Sequence, residues 1–173
     1  MLYVLRQLLS VAVLPFVVTV AVPLWIARAE RTALSLGATP LQLAAQALGV
    51  ASLALGVWLF GYSLLHFATR GRGTLAPWDP PKKLVVTGPY RYVRNPMISG
   101  VVFILFAESL LLRSTSHGLW AAGFLAANFV QIPLMEEPQL EARFGESYRE
   151  YKRHVGRLIP RLRPWDASTL PDA

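Results

Sequence analysis

The sequence predicts an all-α fold: a polytopic membrane bundle of about four transmembrane helices, followed by a C-terminal amphipathic interfacial helix. Three observations carry this. Hydrophobic residues fill 54% of the 173 positions and charged residues only 16%, with mean hydropathy +0.41, whereas a soluble domain carries about 25% charge. Four long apolar stretches alternate with cation-bearing connections. Those cations then sort onto one face of the resulting bundle. Together these exclude a disordered chain, a coiled coil and an ordinary water-soluble enzyme. The net charge of +7 and pI near 10.2, joined to such hydropathy, fit a membrane protein with cationic loops and no nucleic-acid partner. The chain has no cysteine, so disulfides, thiolate nucleophiles and cysteine-ligated zinc are out. His66, His117 and His154 are too scattered for a metal cage, and no metal is expected.

The first stretch, 8–27, is uncharged and about 20 residues long, enough for a hydrocarbon core of roughly 30 Å. Ala27-Arg28-Ala29 imitates a signal-cleavage site, but the stretch exceeds a 7–15-residue signal core and only Arg6 precedes it, so a retained anchor is expected. The second stretch, 41–68, is longer than a minimal span. The third and fourth, 96–112 and 119–135, lie near the lower limit of about 17 residues. Only 113–118 separates them, which makes a tight antiparallel hairpin. With four spans, Arg6, the second connection and the tail share one face. That face carries fourteen of the seventeen cations. The positive-inside rule places both termini and the second connection in the cytoplasm.

Within the second stretch, Ser52 and Gly56 form a small-xxx-small pair flanked by Gly49 and Gly61, which suits close packing inside the bundle. Glu108 is an intramembrane carboxylate and so a functional candidate by default, but one turn from Arg113 a helix-end ion pair explains it at least as well, and it is left out of the site. The connection 69–90 is rich in Gly and Pro; Pro80-Pro81 bars a regular helix, and a loop of that length implies work to do. After the last span, Leu140, Phe144, Tyr148, Tyr151 and Val155 repeat every three or four residues and so share one helical face. Pro138 and the preceding glutamates suit a helix N-terminus. The helix lies in the interface or packs over the bundle. The whole chain reads as one membrane domain: two spans and loop in 1–81, a core in 82–160, a tail in 161–173.

Two polar clusters remain. One is Gly88-Pro89-Tyr90-Arg91-Tyr92-Val93-Arg94-Asn95-Pro96, leading into the third span; the other is Glu136-Glu137-Pro138, leaving the fourth. The tight hairpin makes those spans neighbours, so Arg94 and Glu136/Glu137 should meet although about 40 residues separate them. Cations, carboxylates, rings and an amide at the edge of lipid can hold a zwitterionic aromatic ligand. Each piece also has a plainer reading. Arg91 and Arg94 can act as topology determinants, the glutamates as a helix start and Gly88-Pro89 as a turn. The residues alone therefore give a polar ligand site at the membrane face and no reaction.

The stretch from Lys83 to Pro96 resembles the G-x-Y-x-x-x-R-[H/N]-P signature of the isoprenylcysteine carboxyl methyltransferase and phospholipid methyltransferase family of integral-membrane enzymes. Glu136-Glu137, Leu140, Phe144-Gly145, Tyr148, Tyr151, Val155 and Ile159-Pro160 resemble the family's second block. The resemblance covers about 82–160. It implies S-adenosylmethionine as cofactor, bound by Gly88, Tyr90, Arg94, Asn95, Glu136 and Glu137, with Pro96 shaping the start of the helix. In that reading Arg94 pairs with the methionyl carboxylate, and Glu136 or Glu137 takes the amine or the ribose. Tyr90 and the Gly88 backbone border the nucleoside. The implied activity is methyl transfer to a lipid-like or isoprenoid small molecule. Asn95 stands where many relatives have His, Ile98 where the pattern would place Tyr, and Lys82 where several have His. His66, near the end of the second span, can face the site, although a backbone-satisfied histidine is the plainer reading.

Methyl transfer from a sulfonium is an in-line displacement with a neutral leaving group, so alignment and water exclusion dominate. A base is needed only for a protonated acceptor, and no catalytic residue is assigned. An NADPH-dependent membrane reductase of sterol or enone lipids is the second enzyme class, opposed by the two carboxylates. A membrane scaffold with a lipid-binding basic tail is the non-enzyme alternative. An Arg-rich, Lys-poor, Ala-rich composition fits a high-GC bacterium and its inner membrane.

Overall fold

A computed structural model describes residues 14–71 and 83–167. Arg6, the first part of the 8–27 stretch, and Pro77, Pro80, Pro81 and Lys82 lie outside the described residues. Within them every regular element is helical. Helix α1 is Leu14–Ala29, α2 is Pro40–Arg70, α3 is Pro96–Leu112, α4 is Thr115–Gln131 and α5 is Glu137–His154. A short 3₁₀ turn, Gly88–Arg91, precedes α3.

The helix starts follow from local chemistry. Thr39 caps α2 in a capping box with Gln42, and Pro40 occupies the first turn, where its missing N–H costs nothing. Leu112 ends α3 because Arg113 takes a left-handed φ of 52°, and Ser114 then caps α4 at the His117 N–H. The hairpin is as tight as the sequence requires.

Helix α2 carries its small residues toward α3. A Cβ on Gly56 would lie 2.8 Å from the Gly100 carbonyl oxygen, and one on Gly100 would lie 2.8 Å from the Phe60 nitrogen. Ser52 donates to the Phe103 carbonyl at 2.9 Å. The small-xxx-small stripe therefore packs α2 on α3 inside the bundle. Val101 and Leu105 of α3 meet Ala121 of α4, with Val18 of α1 against the same cluster. Trp120 donates to the Val18 carbonyl, and His117 is taken up by Ser114 and the Pro23 carbonyl.

The ends of the helices sort into two groups. At one end Glu30 accepts from Ser114 and Ser116, and Arg113 donates to Ser35. At the other end the 83–95 segment meets α5 and the residues after it. This alternation fits four spans and places the 83–95 segment and the tail together. Arg113 is spent on Ser35, and no ion pair joins it to Glu108. The expected helix-end pair is absent because the left-handed turn directs Arg113 toward the 30–39 loop. One oxygen of the Glu108 carboxyl is buried without a hydrogen-bond partner.

A second expectation is corrected at Pro138. No free helix N-terminus exists there. Helix α4 runs into α5 through a widened π turn, Ile132–Glu136, in which the Glu137 N–H reaches the Ile132 carbonyl. Pro133 and Pro138 remove two donors, and the extra residue per turn absorbs them without a break. The change of direction occurs at Gly145, whose φ of 54° and ψ of −127° only glycine adopts readily. Beyond it the apolar face of α5 is covered by protein: Tyr148, Tyr151 and Val155 pack with Val86 and Trp165, and Leu140 and Phe144 flank them.

Candidate functional site

The site grows from the segment that enters α3. Its 3₁₀ turn pairs only part of its backbone, and the tail supplies further partners. Arg94 N–H donates to the Gly156 carbonyl at 2.8 Å and Asn95 N–H to the Arg157 carbonyl at 3.2 Å. In return the Tyr92 carbonyl accepts from Arg161 N–H and the Arg91 carbonyl from Trp165 N–H, both at 2.9 Å. The Arg91 side chain donates to the Trp165 carbonyl at 2.7 Å, and the Asn95 amide donates to the Arg157 carbonyl. Asn95 thus binds the tail through both backbone and side chain. Pro96 is fully buried as the first residue of α3.

Arg94 and Glu137 meet as the hairpin geometry predicts. Their charged atoms are 3.1 Å apart, and Glu137 is only 3% exposed. The Glu137 carboxylate also accepts from Arg157 at 2.7 Å and faces the Lys152 ammonium at 2.9 Å. Arg94 in addition donates to the Val155 carbonyl and the Tyr148 hydroxyl, each at 2.9 Å. Burial pushes the Glu137 carboxyl upward, but Arg157, Lys152 and Arg94 outweigh it and hold the group at about 2. The sequence reading gives Arg94 a ligand carboxylate as partner. In the structure its partners are Glu137, Tyr148 and Val155.

Glu136 is different. It is half-buried, and among the described residues it forms no ion pair. Burial, then the neighbouring Glu137 charge, raise its carboxyl above the usual range, and Arg94 only partly opposes them. It interacts electrostatically with Tyr90, whose buried phenol is raised well above the usual tyrosine range. Burial also lifts Tyr148 to about 12, with Arg94 pulling the other way. The Tyr151 hydroxyl donates to the Tyr90 carbonyl at 2.7 Å, fastening α5 to the 3₁₀ turn. These phenols stay protonated at neutral pH.

Gly88 has φ 55°, and a Cβ there would lie 2.6 Å from the His66 imidazole. His66 also sits 3.2 Å from the Thr87 hydroxyl and contacts the Tyr62 ring edge-on. It therefore supports the first residue of the 88–96 cluster from beneath. Outside the cluster, an open groove of about 390 Å³ runs beside Glu137, Glu141, Arg149 and Lys152. Reading the sequence misses Lys152, Arg157 and Trp165 as partners of the site. Lys152 and Arg157 look like solvated tail charges, and Trp165 lies beyond the helical repeat.

The described residues contain no cluster of metal-ligating side chains. The polar groups at the junction are compatible with a cationic nucleoside ligand. Glu136 offers a carboxylate outside the Arg94–Glu137 network, and tyrosine rings and protonated phenols border it.

The profile of the family described as phospholipid methyltransferase matches residues 44–147. A Mycobacterium tuberculosis protein named methanethiol S-methyltransferase is 36% identical over 103 residues, covering 59% of this chain and 38% of its own. Two Bradyrhizobium diazoefficiens proteins carry the names methanethiol S-methyltransferase 1 and 2. They are 38% and 34% identical over 71 and 73 residues, covering 41% and 42% of this chain and 24% and 27% of theirs. The chain thus spans well under half the length of these curated relatives. No solved structure matches it. The match from α2 into α5, over the helices that bring Arg94 to Glu137, assigns the chain to its family: it belongs to the family described as phospholipid methyltransferase.

Proposed function

We propose that this chain is an S-adenosylmethionine-dependent methyltransferase working at the cytosolic face of a bacterial inner membrane. The observation that carries the reading is the junction of two remote motifs, Gly88 to Pro96 and Glu136-Glu137, at the cation-rich end of a membrane bundle. Membership of a methyltransferase family supports it. The cofactor supplies a methyl group already activated on a sulfonium. Glu136 holds its cationic amine or ribose hydroxyls, and Tyr90 and the Gly88 backbone border the nucleoside. Arg94, Asn95, Pro96 and Glu137 hold the frame: they fix the motif to the tail and keep water out of the junction.

The acceptor reaches this junction laterally from the bilayer. A lipid-like or isoprenoid molecule fits that route, and the names of the relatives add a short alkyl thiol to the acceptors tested first. A thiol arrives protonated and has to lose its proton before or during attack.

Calorimetric titration of the purified protein with S-adenosylmethionine and with NADPH is the direct test. Saturable binding of the first alone is expected, lost or weakened at least tenfold by Glu136→Gln at unchanged melting temperature, the scale of one charge-assisted contact at about 1.4 kcal/mol. Binding of NADPH alone selects the reductase, and binding of neither selects the scaffold. Incubation with radiolabelled donor, thiol and lipid extract then identifies the product that takes up the label.

A further inference from the structure

The stretch 156–163 carries two of the most exposed apolar side chains in the described structure. Ile159 is 82% exposed and Leu162 fully exposed. Neither lies on a transmembrane helix. From 156 to 165 there are three cations, Arg157, Arg161 and Arg163, and no carboxylate.

Hydrogen bonds hold this stretch beside the segment that leads into α3. Residues 156 and 157 accept from the N–H groups of Arg94 and Asn95, immediately before α3 begins at Pro96. Arg161 N–H is tied to the Tyr92 carbonyl. A five-residue loop, 157–161, is therefore fastened at both ends to the point where the chain enters the bilayer. Ile159 stands at its tip and Leu162 just after it. Apolar tips flanked by cations, held at the interfacial level, suit anionic headgroups above acyl chains.

We propose that 157–163 is a lipid-binding wedge. Ile159 and Leu162 insert below the headgroups of the same leaflet, and Arg161 and Arg163 engage anionic phospholipid, Arg157 being held by Glu137. The occupant is the bilayer itself, chosen by charge complementarity and by the anchoring at the start of α3. Because the wedge shares its hydrogen bonds with 91–95, lipid contact orders the segment that carries Arg94. This does not depend on the reaction catalysed.

The absence of cysteine makes the test clean. Leu162→Cys and, as an exposed reference on α5, Glu146→Cys are spin-labelled in full-length protein. Both are placed in nanodiscs of phosphatidylcholine with or without phosphatidylglycerol. Power saturation with oxygen and with a water-soluble nickel chelate is then measured. The label at 162 is expected to show a several-fold higher oxygen-to-nickel accessibility ratio than the label at 146, rising further with phosphatidylglycerol. A ratio at 162 equal to that at 146 in both lipids would overturn the wedge. So would a short dipolar distance between labels at 162, which would seat a second copy on this face instead. Ile159→Asp with a label at 162 should return the ratio toward the reference while leaving the melting temperature unchanged.

Discussion

Glu137→Gln removes one negative charge from a buried site that holds three cations, and the structure sets the size of the loss. Its carboxyl sits at about 2 against an ordinary 4.5. At 1.36 kcal/mol per pH unit that difference is worth about 3 kcal/mol. Breaking a buried ion pair by removing one partner costs about 3–5 kcal/mol, and the part-exposed Lys152 and Arg157 put this site at the low end. For a chain of this size each kcal/mol moves the melting temperature by roughly 2–4 °C, giving a fall of roughly 6–12 °C. Trp165 reports on the right region, because it stacks on Tyr151 at 5.9 Å and packs in the cluster beneath α5. Differential scanning fluorimetry in detergent, with hydrogen exchange over 91–95 and 148–165, gives both the global and the local readout. The exchange loss should concentrate in those two segments while α2 and α3 stay protected. The pH dependence has a definite sign. The folded carboxyl lies below its unfolded value, so its contribution is full above about 4.5 and fades as pH falls toward about 2. A variant melting within two degrees of the parent (roughly half a kcal/mol), with unchanged exchange, would refute the buried hub.

Other outcomes follow from the same geometry. Gly88→Ala should cost about 2–4 kcal/mol, from left-handed strain and a collision with His66, and adding His66→Ala should restore only the steric part in a melting assay. Gly145→Ala meets no neighbouring atom, so its cost is backbone strain alone. It should straighten α5, expose Trp165 and abolish S-adenosylmethionine binding, as read by fluorescence and calorimetry. Gly56→Leu should prevent α2 from seating on α3 and leave protein that fails to purify as a monodisperse species, because the added side chain begins 2.8 Å from the Gly100 carbonyl. Cofactor binding should weaken on acidification at a higher pH than for an ordinary carboxylate, since Glu136 is raised by burial and by Glu137; Glu136→Gln should flatten that profile.

The helices, the hairpin and the meeting of Arg94 with Glu137 were legible because each rests on a local rule. Apolar length marks a span, a short turn makes antiparallel neighbours, and antiparallel neighbours bring their ends together. The partners of that meeting were not legible. Val155 and Gly156 contribute carbonyl oxygens, which every residue possesses, so no side-chain pattern marks them. Arg157 and Lys152 share the sequence character of Arg149 and Arg153, which make exposed pairs with Glu141, Glu146 and Glu150. What separates them is the partner: Lys152 and Arg157 reach the buried Glu137, whereas Arg149 and Arg153 pair with partly exposed glutamates. The dipole argument for Glu136 and Glu137 failed because a π turn carries the helix through two prolines that ordinarily announce a boundary.

That continuity has a chemical consequence. Two consecutive glutamates on an unbroken helix must point in different directions, since successive residues turn by about 100°. Here one points into the cation hub and is held ionised, while the other lies beside Tyr90 and outside that hub. A free helix start would have offered both carboxylates to backbone N–H groups and made them alike. The π turn instead leaves them unlike: Glu137 is bound by three cations, and among the described residues Glu136 forms no ion pair. Arg94 completes the asymmetry: its bonds go to Glu137, Tyr148 and the Val155 carbonyl. The two acidic residues of the motif thus sit in unlike surroundings, and substituting them separately tests whether folding and binding divide between them.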